Sequence, residues 1–233
     1  MNYSIIVPIY KEEKNIAKLI HKVNRELKNK IKYELIFVDD DSNDESKNIF
    51  NKFKNKNTKF YTRKDKPRDL SKSVVYGFNK AKYDNLIVMD GDLQHDPKDI
   101  IKLIKIFKKS NCDIVIGCRK LINYRKSNLN PIRFYFSKFL NQIFNIIFKH
   151  NMADPMSGFF LIKKKIYKLN KKFLVLLGYK ILIDILLTNN RKISIKEVKI
   201  NFKVRDKGFS KMRLKILLQL FIFMFIKYFK YAK

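Results

Sequence analysis

Asn85-Leu-Ile-Val-Met-Asp-Gly-Asp-Leu-Gln-His-Asp-Pro97 sets a short apolar run against an abrupt polar turn. The run predicts a buried strand. The turn gathers Asp90, Asp92 and Gln94 around Gly91, and Asp96-Pro97 then marks a helix start ahead of Ile100, Ile101, Ile104 and Phe107. The same order of strand, polar turn and helix recurs upstream. Residues 3–7 read as a strand, Pro8-Ile-Tyr-Lys-Glu12 as its turn, and Ile16, Leu19, Ile20, Val23 and Leu27 share one helical face. Residues 34–38 form another strand ending in Val38-Asp-Asp-Asp41, and Ser42 and Glu45 have capping-box spacing before Ile49, Phe50 and Phe53. A third helix is predicted over 70–82, and a strand over 113–116 ends in Gly117-Cys-Arg119. Such alternation predicts an α/β fold, a mostly parallel sheet with helices on both faces.

Downstream the character changes. Residues 130–149 read as a helix whose phenylalanines exceed a single core stripe. A strand is predicted over 159–162, a helix over 180–189, a strand over 194–204 and a last helix over 213–230. The best candidate boundary lies at 207–211, giving a catalytic domain over 1–211 and a C-terminal amphipathic, membrane-interface helix over 212–233.

Composition narrows the function. The 233 residues carry 52 Lys and Arg against 21 Asp and Glu, a net charge of +31. Such a surface attracts phosphates, nucleic acid or an anionic lipid leaflet, although the lysines are scattered, as a Lys/Asn/Ile-rich background would leave them. The six glycines are all at least fourteen residues apart, which excludes a P-loop and a G-x-G-x-x-G fingerprint. Two cysteines and three histidines offer no zinc motif and no disulfide framework. With no signal-peptide pattern at the N-terminus, a reducing cytoplasm is expected.

Each predicted strand delivers polar groups to one sheet edge, and open parallel sheets bind ligands outside the carboxyl ends of their strands. Asp90-x-Asp92 can hold a hard divalent cation, with phosphate oxygens and water completing the shell, and Gln94 can add an oxygen. Any one of these clusters alone is an ordinary turn; four at one edge make a site.

These motifs resemble a known family. Ser4-Ile-Ile-Val-Pro-Ile-Tyr-Lys-Glu-Glu-Lys-Asn-Ile16, Val38-Asp-Asp-Asp-Ser42 and Met89-Asp-Gly-Asp-Leu-Gln-His95 resemble the family 2 inverting glycosyltransferases of the GT-A fold, whose sheet is Rossmann-like. Arg68-Asp-Leu-Ser-Lys-Ser-Val74, Gly117-Cys-Arg119, Asp154-Pro-Met-Ser-Gly-Phe-Phe160, Gly178-Tyr-Lys180 and Arg205-x-x-Gly208-x-Ser210-Lys211 are similar to motifs of polyprenyl-phosphate (dolichol-phosphate) mannosyltransferases. The resemblance runs from about residue 3 to residue 211.

The resemblance implies roles. Pro8, Tyr10, Glu12, Val38, Asp39 and Asp40 match positions that hold the nucleotide-sugar, with Asp41 standing where the family often has Gly. Asp90, Asp92 and Gln94 match the metal and diphosphate loop, which implies Mg2+ or Mn2+ as cofactor. Arg119, Arg133 and Ser137 match groups that hold the lipid phosphate, Ser157 and Gly158 the acceptor loop, and Arg205 a basic residue that closes over the diphosphate. Arg133 and Ser137, four apart on a helix, share a face and suit one anion. Asp154 reads either as a base for a sugar acceptor or as a turn cap, and Cys118 as packing.

The implied reaction moves mannose from GDP-mannose to a polyprenyl phosphate at the cytoplasmic membrane face, with the protein peripheral. Charge building on the leaving diphosphate would be met by the metal, at Asp92, and by Arg205. A phosphate acceptor is largely ionised at neutral pH, its second pKa being about 6, and needs no base. A UDP-glucose or N-acetylhexosamine donor, or a saccharide acceptor in surface-polysaccharide synthesis, are the near alternatives. A nucleotidyltransferase would release pyrophosphate instead. A nucleic-acid partner is not expected, since the aromatics of an RNA-recognition motif are missing.

The tail run 216–226 has eleven residues, including Gln219. Spanning a bilayer needs roughly 20. Arg213, Lys215, Lys227, Lys230 and Lys233 flank the run, which predicts a helix lying on an anionic leaflet. A helix packed on the catalytic domain, or docked to a separate membrane subunit, is the alternative.

Overall fold

The computed structural model describes residues 1–119, 135, 142, 152–178, 181–188, 193–202, 222, 223 and 225–227. The expectations for the helix at 130–149, the boundary at 207–211 and most of the tail therefore lie outside the described residues.

In chain order the elements are β1 (Asn2–Ile9), α1 (Glu13–Leu27), β2 (Lys32–Asp39), α2 (Ser46–Phe53), β3 (Thr58–Thr62), α3 (Leu70–Lys80), β4 (Asn85–Val88), α4 (Asp99–Ser110), β5 (Ile114–Arg119), β6 (Phe160–Lys163), α5 (Lys164–Asn170), a 3₁₀ turn (Lys171–Phe173), α6 (Ile181–Thr188) and β7 (Ile195–Ile200). The strands form one sheet in the order β3-β2-β1-β4-β6-β5-β7. Every pairing is parallel except those of β6, which runs antiparallel to both β4 and β5. The mostly parallel α/β sheet expected from the sequence is what forms.

Period-2 alternation in the central strands feeds two cores. Tyr3, Ile5, Val7 and Ile9 of β1 face α1, α2 and α4, where the predicted stripe Ile16, Leu19, Ile20, Val23 and Leu27 is buried throughout. Ile6 joins the opposite core with Val74 and Phe78 of α3, Ile166 and Tyr167 of α5, and α6. Helices cover both faces, so the sheet is buried and a ligand would meet it at the edge formed by the carboxyl ends of its strands.

Register sets that edge. Ile9 pairs with Asp39, Ile6 with Val88, and Arg119 with Ile200. The carboxyl ends of β1, β2, β4 and β5 thus lie together. Because β6 is reversed, its preceding loop, residues 152–159, arrives at the same edge.

Three local expectations are corrected. The capping box at Ser42 and Glu45 does not form: α2 starts at Ser46 with no side-chain cap, and the Ser42 hydroxyl and N–H both bond to the Asp39 carboxylate. The helix after Asp96-Pro97 starts at Asp99, with the Asp96 carboxylate accepting the Lys98 N–H at 3.0 Å. In the tail, Lys227 does not flank a membrane helix on its outer side. It is fully buried beside the buried Phe223, whereas Ile222, Phe225 and Ile226 are 44%, 65% and 36% exposed. Spacing decides this, since 223 and 227 share one helical face and 222, 225 and 226 the other. No helix among the described residues is long and apolar enough to cross a membrane.

Candidate active site

The edge is built from three groups of loops. In the first, after β1 and β2, Asp39 is buried and its carboxylate accepts from Ser42. Burial raises its pKa above the usual aspartate range, against the Ser42 bonds, with Asp44 and Asp40 adding to the rise. Asp40 is committed elsewhere. Its Oδ1 receives the buried Arg63 guanidinium, and its Oδ2 accepts the Asp69 N–H at 2.8 Å. Arg63 also bonds to the carbonyls of Asp65 and Pro67, so the Asp40–Arg63 pair holds the segment leading to α3. Asp41 has φ 58°, the left-handed region that glycine enters without cost and aspartate tolerates. The outer rim is Tyr10, with the Arg68 guanidinium 5.0 Å from its ring centre. Glu12 accepts the Asn15 amide at 2.7 Å at the start of α1. Pro8 and Val38 pair across β1 and β2, and the Val38 side chain is buried in the second core beneath α3.

The second group is the acidic loop after β4. Asp92 is buried and accepts the Gln94 N–H at 3.1 Å, and Gln94 is itself nearly buried. The Asp90 side chain is 34% exposed. Gly158 packs directly against it: a Cβ there would lie 3.0 and 3.1 Å from the two carboxylate oxygens. His95 closes the loop from below, stacked on Phe159 at 5.0 Å and edge-on to Phe202 at 5.3 Å. Burial pushes its pKa down to about 4, Asp92 and Asp154 opposing and Arg119 assisting, so the ring is neutral at pH 7.

The third group joins β5 to the loop before β6. Arg119 Nε and Nη2 reach Asp154 Oδ2 and Oδ1 at 2.7 and 2.8 Å, a bidentate fork, and the Arg119 N–H adds a third bond at 3.2 Å. Asp154 is fully buried. Burial works against the Arg119 charge, but Asp154 and then Asp90 hold its pKa above the ordinary arginine value. That coupling ties Asp90 and Arg119 into one electrostatic site. The Ser157 hydroxyl donates to the Gly117 carbonyl at 2.6 Å and so fastens the loop before β6 to β5. Burial, with Glu197 next, raises the Cys118 thiol above the usual range, which leaves it a packed, protonated side chain.

The structure thus brings Pro8, Tyr10, Glu12, Val38, Asp39, Asp40, Asp90, Asp92, Gln94, Arg119, Asp154 and Ser157 to one edge. Arg133, Ser137 and Arg205 lie outside the described residues. Sequence reading missed Arg63, and it quoted Asp69 within the motif at 68–74 without assigning it a role; these two residues fix the first loop group. Asp69 accepts the N–H groups of Ser71 and Lys72 at the start of α3 and that of Gly178 from a distant loop. Its position as the cap ahead of Leu70 was the local signal of its role.

An open, mostly parallel sheet with carboxylates at the carboxyl ends of its strands places its ligand-binding groups where such folds bind ligands, and comparison then supplies the family. Residues 4–169 match the family model described as glycosyl transferase family 2, and the chain belongs to that family. It is 33% identical over 218 residues to a dolichol-phosphate mannosyltransferase of Pyrococcus furiosus, covering 91% of this chain and 60% of that protein's length. The yeast Saccharomyces cerevisiae protein of the same name is 30% identical over 230 residues, covering 94% of this chain and 84% of the relative. Among solved structures, glucosyl-3-phosphoglycerate synthase from Mycobacterium tuberculosis, in complex with Mn2+, UDP and glucosyl-3-phosphoglycerate, superposes with a TM-score of 0.70 at 14% identity, over 93% of this chain and 74% of the other. The chain is a glycosyltransferase with the GT-A fold.

Proposed function

We propose that the protein transfers mannose from GDP-mannose to a polyprenyl phosphate at the cytoplasmic face of a membrane. The observation that carries this reading is the Arg119–Asp154 fork beside Asp90. It sets a fixed cation where a sugar diphosphate and an anionic acceptor would meet. The two mannosyltransferase relatives support the sugar and the acceptor class.

The chemistry follows from charge. Expulsion of a nucleoside diphosphate builds negative charge on the leaving oxygens. Asp90 and Asp92 offer hard carboxylate oxygens suited to Mg2+ or Mn2+, with Gln94 adjacent. Among the described residues no cluster of three or more His, Cys, Asp or Glu could hold a metal alone, so donor phosphates would complete the shell. When bound, the cation supplies Lewis-acid stabilisation of the leaving diphosphate; Mn2+ accompanies UDP in the mycobacterial synthase. Arg119 holds the acceptor phosphate, with Arg133 and Ser137 as its further partners and Arg205 closing over the diphosphate. Both Asp154 oxygens accept N–H groups of Arg119, which favours a positioning part for Asp154 and an acceptor that arrives already ionised.

The test is direct. Purified protein is incubated with a panel of radiolabelled sugar nucleotides and a short polyprenyl phosphate, and the lipid is extracted. Label from GDP-mannose in the lipid phase supports the reading. Label from a UDP-sugar, or transfer to a water-soluble saccharide alone, overturns it.

A further inference from the structure

From Lys163 to Lys180 the sequence carries a run of lysines and no Asp or Glu. This stretch builds α5, the 3₁₀ turn and a loop at residues 174–177, and apart from the Gly178 N–H that reaches Asp69 it takes no part in the site above. Ile166 and Tyr167 hold α5 to the second core. Its other side is different in kind. Leu169 and Phe173, four residues apart, are 53% and 51% exposed, and Lys165, Lys168, Lys171 and Lys172 are exposed around them. The run continues as Leu-Val-Leu-Leu over 174–177, all partly exposed.

The backbone of that apolar loop is tied inward. The Val175 and Leu176 N–H groups both donate to Asp184 Oδ2 at 2.8 Å, and the Gly178 N–H to Asp69. The Gly178 carbonyl accepts the Ser71 hydroxyl at 2.7 Å. The Val175 and Leu176 N–H groups, being paired from within, lower the cost of bringing this apolar loop into a low-dielectric phase, where unpaired amides are costly. The same Asp184 carboxylate receives Lys227 at 2.6 Å, so the tail helix and its exposed Ile222, Phe225 and Ile226 border the loop.

We propose that the surface formed by α5, the 3₁₀ turn and residues 174–177 docks on an anionic lipid leaflet. Leu169 and Phe173 enter the boundary between headgroups and acyl chains, and the four lysines meet lipid phosphates. Two weak signals, apolar insertion and a basic cluster, are what stable peripheral binding takes. Lysine stems extend along the apolar surface while their ammonium groups stay at headgroup level. Charge complementarity selects the occupant, since a segment with no acidic residue repels basic and attracts anionic surfaces. The inference deepens the lipid-acceptor reading and rests on it for its purpose, though not for its test.

The test uses the full chain and vesicles of phosphatidylcholine with or without phosphatidylglycerol. The parent is expected to bind the anionic vesicles more tightly, and less so in high salt. Leu169→Ser with Phe173→Ser should weaken binding about tenfold or more, the loss persisting in high salt. Reversing Lys168 and Lys172 to Glu should cost on the order of fivefold per residue and flatten the salt dependence. All four positions are exposed, so unchanged circular dichroism and unfolding midpoint are expected. In parallel, transfer to a short polyprenyl phosphate in detergent micelles is measured. Variants that bind vesicles like the parent overturn the docking surface while leaving the transfer reaction standing. Weakened vesicle binding with no transfer to any lipid phosphate keeps the surface and removes the acceptor reading. A parent that ignores vesicles of either kind also overturns the proposal, in favour of an acidic protein partner.

Discussion

Lys227 Nζ lies 2.6 Å from Asp184 Oδ1, with the two side chains 0% and 2% exposed. The pair joins the tail to α6, and the other Asp184 oxygen holds residues 175 and 176. Asp184→Ala would strand a buried ammonium and two N–H groups, a loss of about 3–5 kcal/mol. Lys227→Met should cost less, because Asp184 keeps its two amide donors. Urea unfolding of both variants checks the order; an Asp184→Ala midpoint equal to the parent's would contradict a buried pair.

Asp92→Asn should abolish most transfer while leaving the unfolding midpoint close to the parent's, because a neutral amide binds a hard cation poorly. The parent treated with excess EDTA should behave likewise and recover with Mg2+ or Mn2+. Full activity in EDTA would remove the metal from the proposal.

Gly158→Ala addresses the same loop from outside. The new methyl would sit 3.0 Å from Asp90 Oδ2, so the carboxylate must shift by a few tenths of an ångström. Misplacement of about 1 Å can cost about a hundredfold in rate, and this smaller displacement should cost about tenfold. Metal titration of the variant should show weaker binding at similar stability. Unchanged kinetics would mean that Asp90 is free to move.

Arg119→Lys keeps a charge but loses the fork to Asp154. A charge-assisted bond to a phosphate is worth about 1.5–3 kcal/mol, so acceptor KM should rise about tenfold or more with donor KM little changed. An equal rise in both would place Arg119 on the donor.

Glu34 gives a pH prediction far from the site. Burial works to raise its pKa, but Lys59, the Ser4 hydroxyl and the Lys82 N–H together hold it below the usual glutamate value. A depressed folded pKa gives stability that is present above the unfolded value, about 4.3, and is lost as pH falls through the folded one. The unfolding midpoint should therefore drop more steeply below about pH 4.3 in the parent than in Glu34→Gln. Parallel curves for the two would show that the network contributes nothing.

Much of this molecule was legible in its sequence because the signals were local. The stripe from Ile16 to Leu27 and the Asp90-Gly91-Asp92 turn state their own surroundings. Non-local partnerships were not legible. Ser42 has capping spacing yet turns to Asp39, because a buried carboxylate needs its donors more than α2 needs a cap. β3 was missed because an edge strand reading Thr-Lys-Phe-Tyr-Thr is half-buried throughout and lacks an apolar run. Lys227 looked like a flanking charge until its partner was known, although Asp184, the sole acid in the apolar helix α6, was a signal that a cation must come to it.

The position of β6 bears on how the chain is assembled. Residues 160–163 are the seam between β4 and β5, so the sheet cannot close across that gap until this late segment has left the ribosome. The units β1 to β4 can pair while synthesis continues, whereas β5, already made, must wait beside an unfilled slot. Insertion of one reversed strand then joins the carboxylates of Asp90 and Asp92 to Arg119 in a single event. Completion of that edge therefore depends on pairings between segments far apart in the chain, the class of contact that forms most slowly.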